Sequence, residues 1–354
     1  MQSRLLQLFP LERREFWRNT AAEEEHIQEI RIRVGKPVIV LWKGKEVFLN
    51  AEGDFTDKLT EAYSVGEREL SALLNHICHY SPYAFEDEIR QGFVTVEGGH
   101  RVGIAGQVVL EGPERVRTIK HVFYMNIRVS HEIKGVADKV LPFVYEQGRL
   151  KNTLIISPPG CGKTTLLRDM IRQISDGNPY GRGRSVGLVD ERSEIAGSYL
   201  GCPQNDVGIR TDVLDACPKV LGMMLLLRSM SPKVIAIDEL GGKEDMEALQ
   251  LACSCGSAII ATIHGEGLAD YVHRLRVCGM GEEQVFECFL ILGKEEGHPV
   301  LRKICGKDEC NDSIIGGDYD SGRLSGNGAV VSGAFYRTSG DLAGAAKNSG
   351  AAYE

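Results

Sequence analysis

The stretch SPPGCGKTT, at residues 157–165, combines residue types that bind phosphate groups. Gly162, Lys163 and Thr164 match the end of the phosphate-loop pattern G-x-x-x-x-G-K-[ST], while Ser157 stands where the pattern has its first glycine. Glycines let backbone N–H groups turn inward around an anion, and the helix that follows adds its positive dipole end. We therefore expect nucleotide phosphates to be bound by Pro159, Gly160, Cys161, Gly162, Lys163, Thr164 and Thr165.

A strand-like run further along, VIAIDE, ends in two carboxylates, Asp238 and Glu239. With a phosphate loop in the same chain, these acids are expected beside the nucleotide rather than at a solvated strand end. Lys163 would reach the β- and γ-phosphates, and the Thr164 hydroxyl and Asp238 would hold Mg²⁺. Glu239 would take the proton of the attacking water as general base. The expected cofactors are thus ATP and Mg²⁺.

Two more apolar runs end in polar residues. SVGLVDERSEIAG supplies Glu191, Arg192 and Glu194, and the two glutamates are alternative candidates for the general base. SAIIATIH supplies Thr262 and His264, which could sense the γ-phosphate. One arginine could also act on the nucleotide of a neighbouring subunit. The candidates are Arg182, Arg184, Arg192 and Arg210, which the sequence does not rank.

These strand ends require a parallel sheet whose carboxyl edge carries the site. Residues 146–305 alternate buried β-runs with helical segments, which predicts an α/β domain. Residues 1–145 mix strands with helices, as in SVGERELSALLNHI, where Ser64 and Glu67 have the spacing of a capping box, and this predicts a smaller α+β domain. The glycine- and serine-rich segment 306–354 is expected to be a largely disordered tail.

The charge, hydrophobic runs and cysteines of the sequence argue against several classes of protein. The formal charge of −8 argues against a surface built to bind nucleic acid, so no nucleic-acid partner is expected. The sequence has no apolar run of membrane-spanning length and no signal peptide, which predicts a cytoplasmic protein. Its ten cysteines lack the doubled C-x-x-C spacing of a zinc site.

The segments VGLVDERSEIAG, PKVIAIDELGG and GSAIIATIHGEGLAD resemble the sporulation ATPases of the secretion ATPase superfamily, found in endospore-forming bacteria. The resemblance covers about 300 residues, including EIRIRVGKPV and GGHRVGIAGQVV in the N-terminal part. It implies a RecA-like P-loop ATPase domain and a ring, expected to be a homo-hexamer. The ring would lie peripherally at the mother-cell membrane around the forespore and work with membrane proteins of a channel complex. Asp238 departs from the pattern of many secretion motors, which have glycine before the catalytic glutamate.

Two other functions stay open on the sequence alone. A nucleic-acid motor or loader shares the same nucleotide core, so the motifs do not separate it from a secretion motor. A nucleotide-dependent scaffold would bind ATP and hardly hydrolyse it, as would follow if Glu239 were badly placed. The measured rate of ATP turnover separates a motor from a scaffold.

Overall fold

The computed structural model describes residues 3–113, 115–279, 285–295 and 298–310. The chain divides into two compact units. The first comprises Met1–Glu132 and Ala196–Asn205, and the second comprises Ile133–Ile195 and the chain from Asp206 onward. The first unit is therefore discontinuous in sequence.

An antiparallel sheet forms the centre of the first unit. Its strands are β1 (Ile27–Arg33), β2 (Ile39–Trp42), β3 (Lys45–Leu49), β4 (Phe55–Thr56), β5 (Phe93–Thr95), β6 (Arg101–Leu110) and β7 (Val116–Arg128). Among the described residues they pair in the order β4-β3-β2-β1-β7-β6-β5. The long β6–β7 hairpin is bulged at Gly106, where a Cβ atom would lie 2.4 Å from the carbonyl oxygen of His121. Only glycine fits that approach.

Helices cover this sheet and complete its apolar core. They are α1 (Arg4–Gln7), α2 (Arg14–Ala22), α3 (Glu67–Ile77) and α4 (Glu86–Gln91). The apolar face of α3 is buried at Leu70, Leu73 and Ile77, as its spacing predicts. The expected capping box is wrong, because Ser64 forms a β-bridge with Pro37 and the extended Gly66 is the N-cap of α3.

The segment Ala196–Asn205 joins the first unit through its own contacts there. Tyr199 and Cys202 exchange two backbone hydrogen bonds of 2.9 Å, which closes a tight turn. The Tyr199 hydroxyl is hydrogen-bonded to His79 Nε2, and Gly98 N donates to Gln204 Oε1 at 3.0 Å. These contacts explain why a stretch inside the expected ATPase domain clusters with the N-terminal residues.

A mostly parallel sheet forms the second unit. The strands of this unit are β8 (Tyr145–Glu146), β9 (Arg149–Leu150), β10 (Thr153–Ser157), β11 (Gly177–Asn178), β12 (Gly181–Arg182), β13 (Val186–Asp190), β14 (Thr211–Asp215), β15 (Val234–Ile237), β16 (Ala258–His264), β17 (Cys288–Glu295) and β18 (His298–Gly306). The pairs β8–β9 and β11–β12 form separate antiparallel hairpins outside the main sheet. In the described part of the unit, the main sheet has the order β14-β13-β15-β16-β10-β17-β18. Only β18 is antiparallel to its neighbour in this sheet. Strands β10, β13 and β15 are buried along their whole length, which matches their continuous apolar runs.

Helices connect the parallel strands. They are α5 (Leu141–Val144), α6 (Lys163–Asp176), α7 (Lys219–Ser229), α8 (Lys243–Ser254) and α9 (Leu268–Val277). Helix α6 directly follows β10 and carries buried apolar residues such as Leu167, Met170 and Ile171. The polar residues at its first turn are therefore held at the carboxyl edge of the sheet.

The boundaries expected at residues 145 and 306 both need correction. Val136, Val140, Leu141 and Val144 are buried, and Ala137 N donates to Asp169 Oδ2 of α6 at 2.8 Å, so the second unit begins at Ile133. At the other end, Cys310 is buried in the apolar core of the second unit. Cys310 is thus packed against the second unit while Lys307 and Asp308 are exposed, and residues 311–354 of the expected tail lie outside the described residues.

Within the described ranges, no helix is both long and apolar enough to cross a membrane.

Candidate nucleotide-binding site

The turn between β10 and α6 has the backbone of a phosphate loop. Gly160 (φ 69°) and Gly162 (φ 80°) are both left-handed, which favours glycine, and Gly162 is the N-cap of α6. Ser157, in place of the motif's first glycine, is fully buried, and its hydroxyl donates to the carbonyl oxygen of Pro158 at 2.8 Å. Ser157 is not among the residues with positive φ. The departure from the motif is therefore accommodated without strain.

Lys163 lies at the centre of a polar cluster at this edge. Its Nζ atom is 3.1 Å from Glu239 Oε1, 3.8 Å from Asp238 Oδ1 and 3.4 Å from His264 Nε2. His264 Nε2 is itself 2.7 Å from Glu239 Oε1. The structure thus brings together four of the residues that the sequence places at three separate strand or helix ends.

Asp238 is held by two threonine hydroxyls. Thr164 Oγ1 donates to Asp238 Oδ2 at 3.4 Å, and Thr262 Oγ1 donates to Asp238 Oδ1. A hydroxyl and a carboxylate are oxygen donors of the kind that Mg²⁺ prefers. Thr164 and Asp238 therefore offer ligands of the kind that suit a magnesium ion.

Glu239 has an unusual backbone conformation for a residue with a side chain. Its φ of 53° is left-handed, a conformation that costs energy and persists where the surroundings enforce it. Here Glu239 N donates to Thr262 Oγ1 at 2.8 Å and Leu240 N donates to the Thr262 carbonyl at 2.8 Å. The fully buried Thr262 thus fixes the turn that directs Glu239 at Lys163.

Arg192 contacts the same carboxylate from the end of β13. Its Nη1 atom is 3.1 Å from Glu239 Oε2, although the arginine side chain is 63% exposed. Burial raises the pKa of Glu239, but Lys163, the hydrogen bond with His264 and the charge of Arg192 outweigh burial and lower the pKa overall. Glu239 is therefore a carboxylate at neutral pH.

The other acids after β13 make different contacts. Glu191 pairs with Lys219. Glu194 N donates to Asp190 Oδ1 at 2.9 Å, and the Glu194 carbonyl accepts from Arg168 Nη2 at 2.7 Å. The buried Asp190 also accepts from Ile195 N at 3.0 Å, so it shapes the loop rather than facing the cluster. Of the three candidate bases, Glu239 is the one in contact with Lys163.

The remaining candidate arginines lie away from the cluster. Arg210 Nη1 donates to the Ser175 carbonyl at 2.8 Å, at the opposite end of α6 from the phosphate loop. Since α6 has 14 residues, that end is about 20 Å from Lys163. Arg184 Nη2 donates to the Gly148 carbonyl at 2.7 Å. Arg182, in the β11–β12 hairpin, is exposed, and its side chain has no ion pair or hydrogen bond among the described residues.

One supporting residue has no signal in the sequence. Arg274, in α9, donates to the carbonyl oxygens of Leu240 at 2.7 Å and Gly241 at 3.2 Å. It thereby holds the loop that follows Asp238 and Glu239. Nothing in its spacing from those acids could have indicated this contact.

Solved structures share this architecture. The Legionella pneumophila ATPase DotB has a TM-score of 0.54 and 18% identity, covering 85% of this chain and 82% of that one. The pilus retraction motor PilT with bound ADP has a TM-score of 0.57 and 16% identity, covering 85% of this chain and 87% of that one. The expected fold class, a RecA-like P-loop ATPase domain with a smaller N-terminal α+β domain, is confirmed.

Sequence comparison confirms the resemblance to sporulation proteins. The chain is 40% identical over 282 residues to stage III sporulation protein AA of Bacillus subtilis (strain 168), covering 80% of this chain and 87% of that protein. The family model for sporulation stage III, protein AA matches residues 1–309. This match includes both compact units and every residue of the Lys163 cluster. The chain therefore belongs to the family of sporulation stage III, protein AA.

Proposed function

We propose that this protein binds ATP with Mg²⁺ and hydrolyses it as a ring ATPase that acts on a membrane channel complex between mother cell and forespore. One observation carries the proposal: Lys163, Asp238, Glu239 and His264 meet at the carboxyl edge of the parallel sheet, beside the phosphate loop. The likeness in fold to PilT, whose structure contains ADP, supports nucleotide binding by this chain. Membership of the sporulation family supports the cellular role.

The proposed chemistry assigns one step to each group. Lys163 and the loop N–H groups bind and neutralise the phosphates, and Thr164 with Asp238 holds Mg²⁺, which supplies further positive charge there. Water attacks the γ-phosphorus, its proton passes to Glu239, and the bond to the β-phosphate oxygen breaks. His264 and Arg192 orient the Glu239 carboxylate before the attack. When the phosphates draw Lys163 toward themselves, Glu239 loses part of the charge that lowers its pKa and becomes a stronger base.

The proposed ring would bring a positive charge from a neighbouring subunit to the nucleotide. An arginine from a neighbouring subunit commonly stabilises the transferring phosphoryl group. Arg192 is engaged with Glu239 of its own chain, while Arg184 and Arg210 donate to backbone carbonyls. Arg182 has no such partner in the described ranges and follows the end of α6 that is remote from the phosphate loop. We therefore rank Arg182 first as the group that acts on a neighbour's nucleotide in a homo-hexamer.

A scaffold that binds ATP without turning it over is the second candidate. The observation in its favour is that Glu239 lies 3.1 Å from both Lys163 Nζ and Arg192 Nη1, because a carboxylate held by two cations is a poor proton acceptor. Such a protein would bind ATP with Mg²⁺ stoichiometrically. Phosphate release would stay at the rate seen for Lys163→Ala.

The test measures ATP turnover against protein concentration. Specific activity should rise as rings form, and Arg182→Ala should lower it about 10³-fold, the lower end of the range for such arginines. Mixing Lys163→Ala with Arg182→Ala should restore part of the activity, because a mixed interface regains both halves. Arg228→Ala, which removes an exposed arginine of α7, should leave activity unchanged. A monomer with constant specific activity over a hundredfold dilution would contradict the shared site.

A further inference from the structure

A second lysine reaches the phosphate loop from the other side of β10. Strand β10 pairs with β16 on one side and with β17 on the other. Lys163 makes its contacts on the β16 side, with His264 and the acids that follow β15. Lys294 extends from the end of β17. A Cβ atom built on Gly160 would lie 3.3 Å from Lys294 Nζ and 4.0 Å from its Cε.

The surroundings of Lys294 differ from those of Lys163. In the described ranges no carboxylate lies within ion-pair distance of its Nζ atom, and the residue is exposed. This contrasts with Lys163, which has both Asp238 and Glu239 within 4.0 Å. An unpaired cation over a loop of inward-turned N–H groups strengthens the attraction of that loop for anions.

The backbone of Lys294 is positioned by the neighbouring strand. Arg302 of β18 lies across Gly293, where a Cβ atom would be 2.0 Å from Arg302 Nε, so a side chain at position 293 would displace the guanidinium. Pro299 is opposite Lys294 in the hairpin and has no N–H to donate. Arg302 Nη2 instead donates to the Lys294 carbonyl at 3.5 Å. The position of Lys294 over the loop is thus supported by the hairpin itself.

We propose that Lys294 is a second phosphate-binding cation, which contacts the phosphate chain of the bound nucleotide from the β17 side. The inference rests on the proposed nucleotide binding and adds a residue that lies outside the phosphate-loop motif. Lys294 contacts the phosphates in the ground state and the transition state alike, so it contributes to affinity more than to kcat. One charge-assisted hydrogen bond at an exposed site corresponds to roughly tenfold in Kd.

The experiment titrates the full-length protein with fluorescent ADP and, in competition, with inorganic tripolyphosphate. Lys294→Met should raise Kd for both probes about tenfold, while kcat at saturating ATP stays within about threefold of wild type. Lys294→Arg should keep most of the affinity, which separates a lost charge from a damaged hairpin. Lys233→Met is the matched control, because it removes an exposed lysine just before β15. Lys233 thus lies at the amino ends of the parallel strands, whereas the phosphate loop lies at their carboxyl ends.

Three outcomes distinguish the two proposals. An unchanged Kd in Lys294→Met, with normal binding by wild type, overturns the role of Lys294 and leaves the proposed function intact. Weaker ADP binding with unchanged tripolyphosphate binding also overturns it, because the lysine would then contact the ribose or base. Absence of nucleotide binding by the wild-type protein would overturn the proposed function itself.

Discussion

The two units use their interior polar groups differently. In the second unit, parallel strands end at one edge, and Lys163, Asp238 and Glu239 meet there within reach of solvent. In the first unit, His100 is 1% exposed, and its Nε2 atom lies 3.5 Å from Glu24 Oε1. Glu24 also accepts a hydrogen bond from Ser3 Oγ at 2.6 Å. Glu24 therefore links Ser3, near the start of the chain, to His100, which lies between β5 and β6. Strand ends of the parallel sheet therefore bring reactive groups together, whereas the contact of buried His100 with half-buried Glu24 holds the chain in place in the antiparallel unit.

If the strand ends of the second unit carry the chemistry, the largest loss of activity should come from a substitution at Glu239. Glu239→Gln removes the proton acceptor but keeps the side-chain shape, so ATP hydrolysis should fall about 10²- to 10⁴-fold while ATP binding is retained. Phosphate release and nucleotide binding are measured on the same preparation. Hydrolysis at the wild-type rate would show that Glu239 is not the base.

Thr262 supports both acids and should have the next largest effect. Thr262→Val keeps the volume but removes the hydroxyl that Glu239 N and Asp238 use, so kcat should fall about 10- to 100-fold. Thr262→Ser retains the hydroxyl and is the matched control. The idea fails if the valine and serine variants turn over ATP equally fast.

The first unit should lose stability in mild acid through His100. Burial lowers the pKa of His100 to about 4, against the opposing effect of Glu24, while His131 and Arg4 lower it further. Because the pKa is higher in the unfolded chain, the contribution to stability is present above about pH 6.5 and is lost as the pH falls toward 4. This group alone should remove about 1 kcal/mol between pH 6.5 and 5.5.

Tryptophan fluorescence reports this unit selectively, since the two tryptophans, Trp17 and Trp42, both belong to it. Urea unfolding of the full chain at both pH values gives the difference in stability. His100→Asn should show a smaller loss over the same interval. An equal pH dependence in wild type and variant would exclude His100 as the source.

The smallest effect is expected at Glu191. Its carboxylate pairs with Lys219, away from Lys163, so Glu191→Gln should change kcat by no more than about twofold. The same phosphate-release measurement applies. A loss as large as that of Glu239→Gln would mean that the loop after β13 rearranges to place Glu191 at the nucleotide.

The sequence predicts those parts of the fold whose signal is local. Continuous apolar runs predict β10, β13 and β15 because both faces of these strands are buried. Strand β14 lacks such a run, since it lies at the sheet edge, is only half-buried and carries Asp212 and Asp215. The antiparallel pairing of β18 has no local signal either, because pairing direction depends on a partner strand elsewhere in the chain.

The candidate site likewise has residues that the sequence predicts and residues whose contacts it cannot predict. The phosphate loop, Asp238, Glu239 and His264 follow apolar runs, and the parallel sheet places such ends together. The arginines could not be ranked, because a guanidinium is a long, flexible group whose partner depends on tertiary packing. Arg192 meets Glu239, whereas Arg210 donates to carbonyls at the far end of α6.

The segment Ala196–Asn205 determines when the first unit can finish folding during synthesis. The chain passes from the first unit to the second after Glu132, returns at Ala196 and leaves again after Asn205. Domains generally fold as units during synthesis, from the N-terminus onward. The first unit cannot be complete until Asn205 has left the ribosome, by which time β10, α6 and β13 have already emerged. During synthesis, residues 1–132 therefore lack the contact of His79 with Tyr199 until the later segment has been made. A fragment truncated at residue 145 would lack this contact permanently.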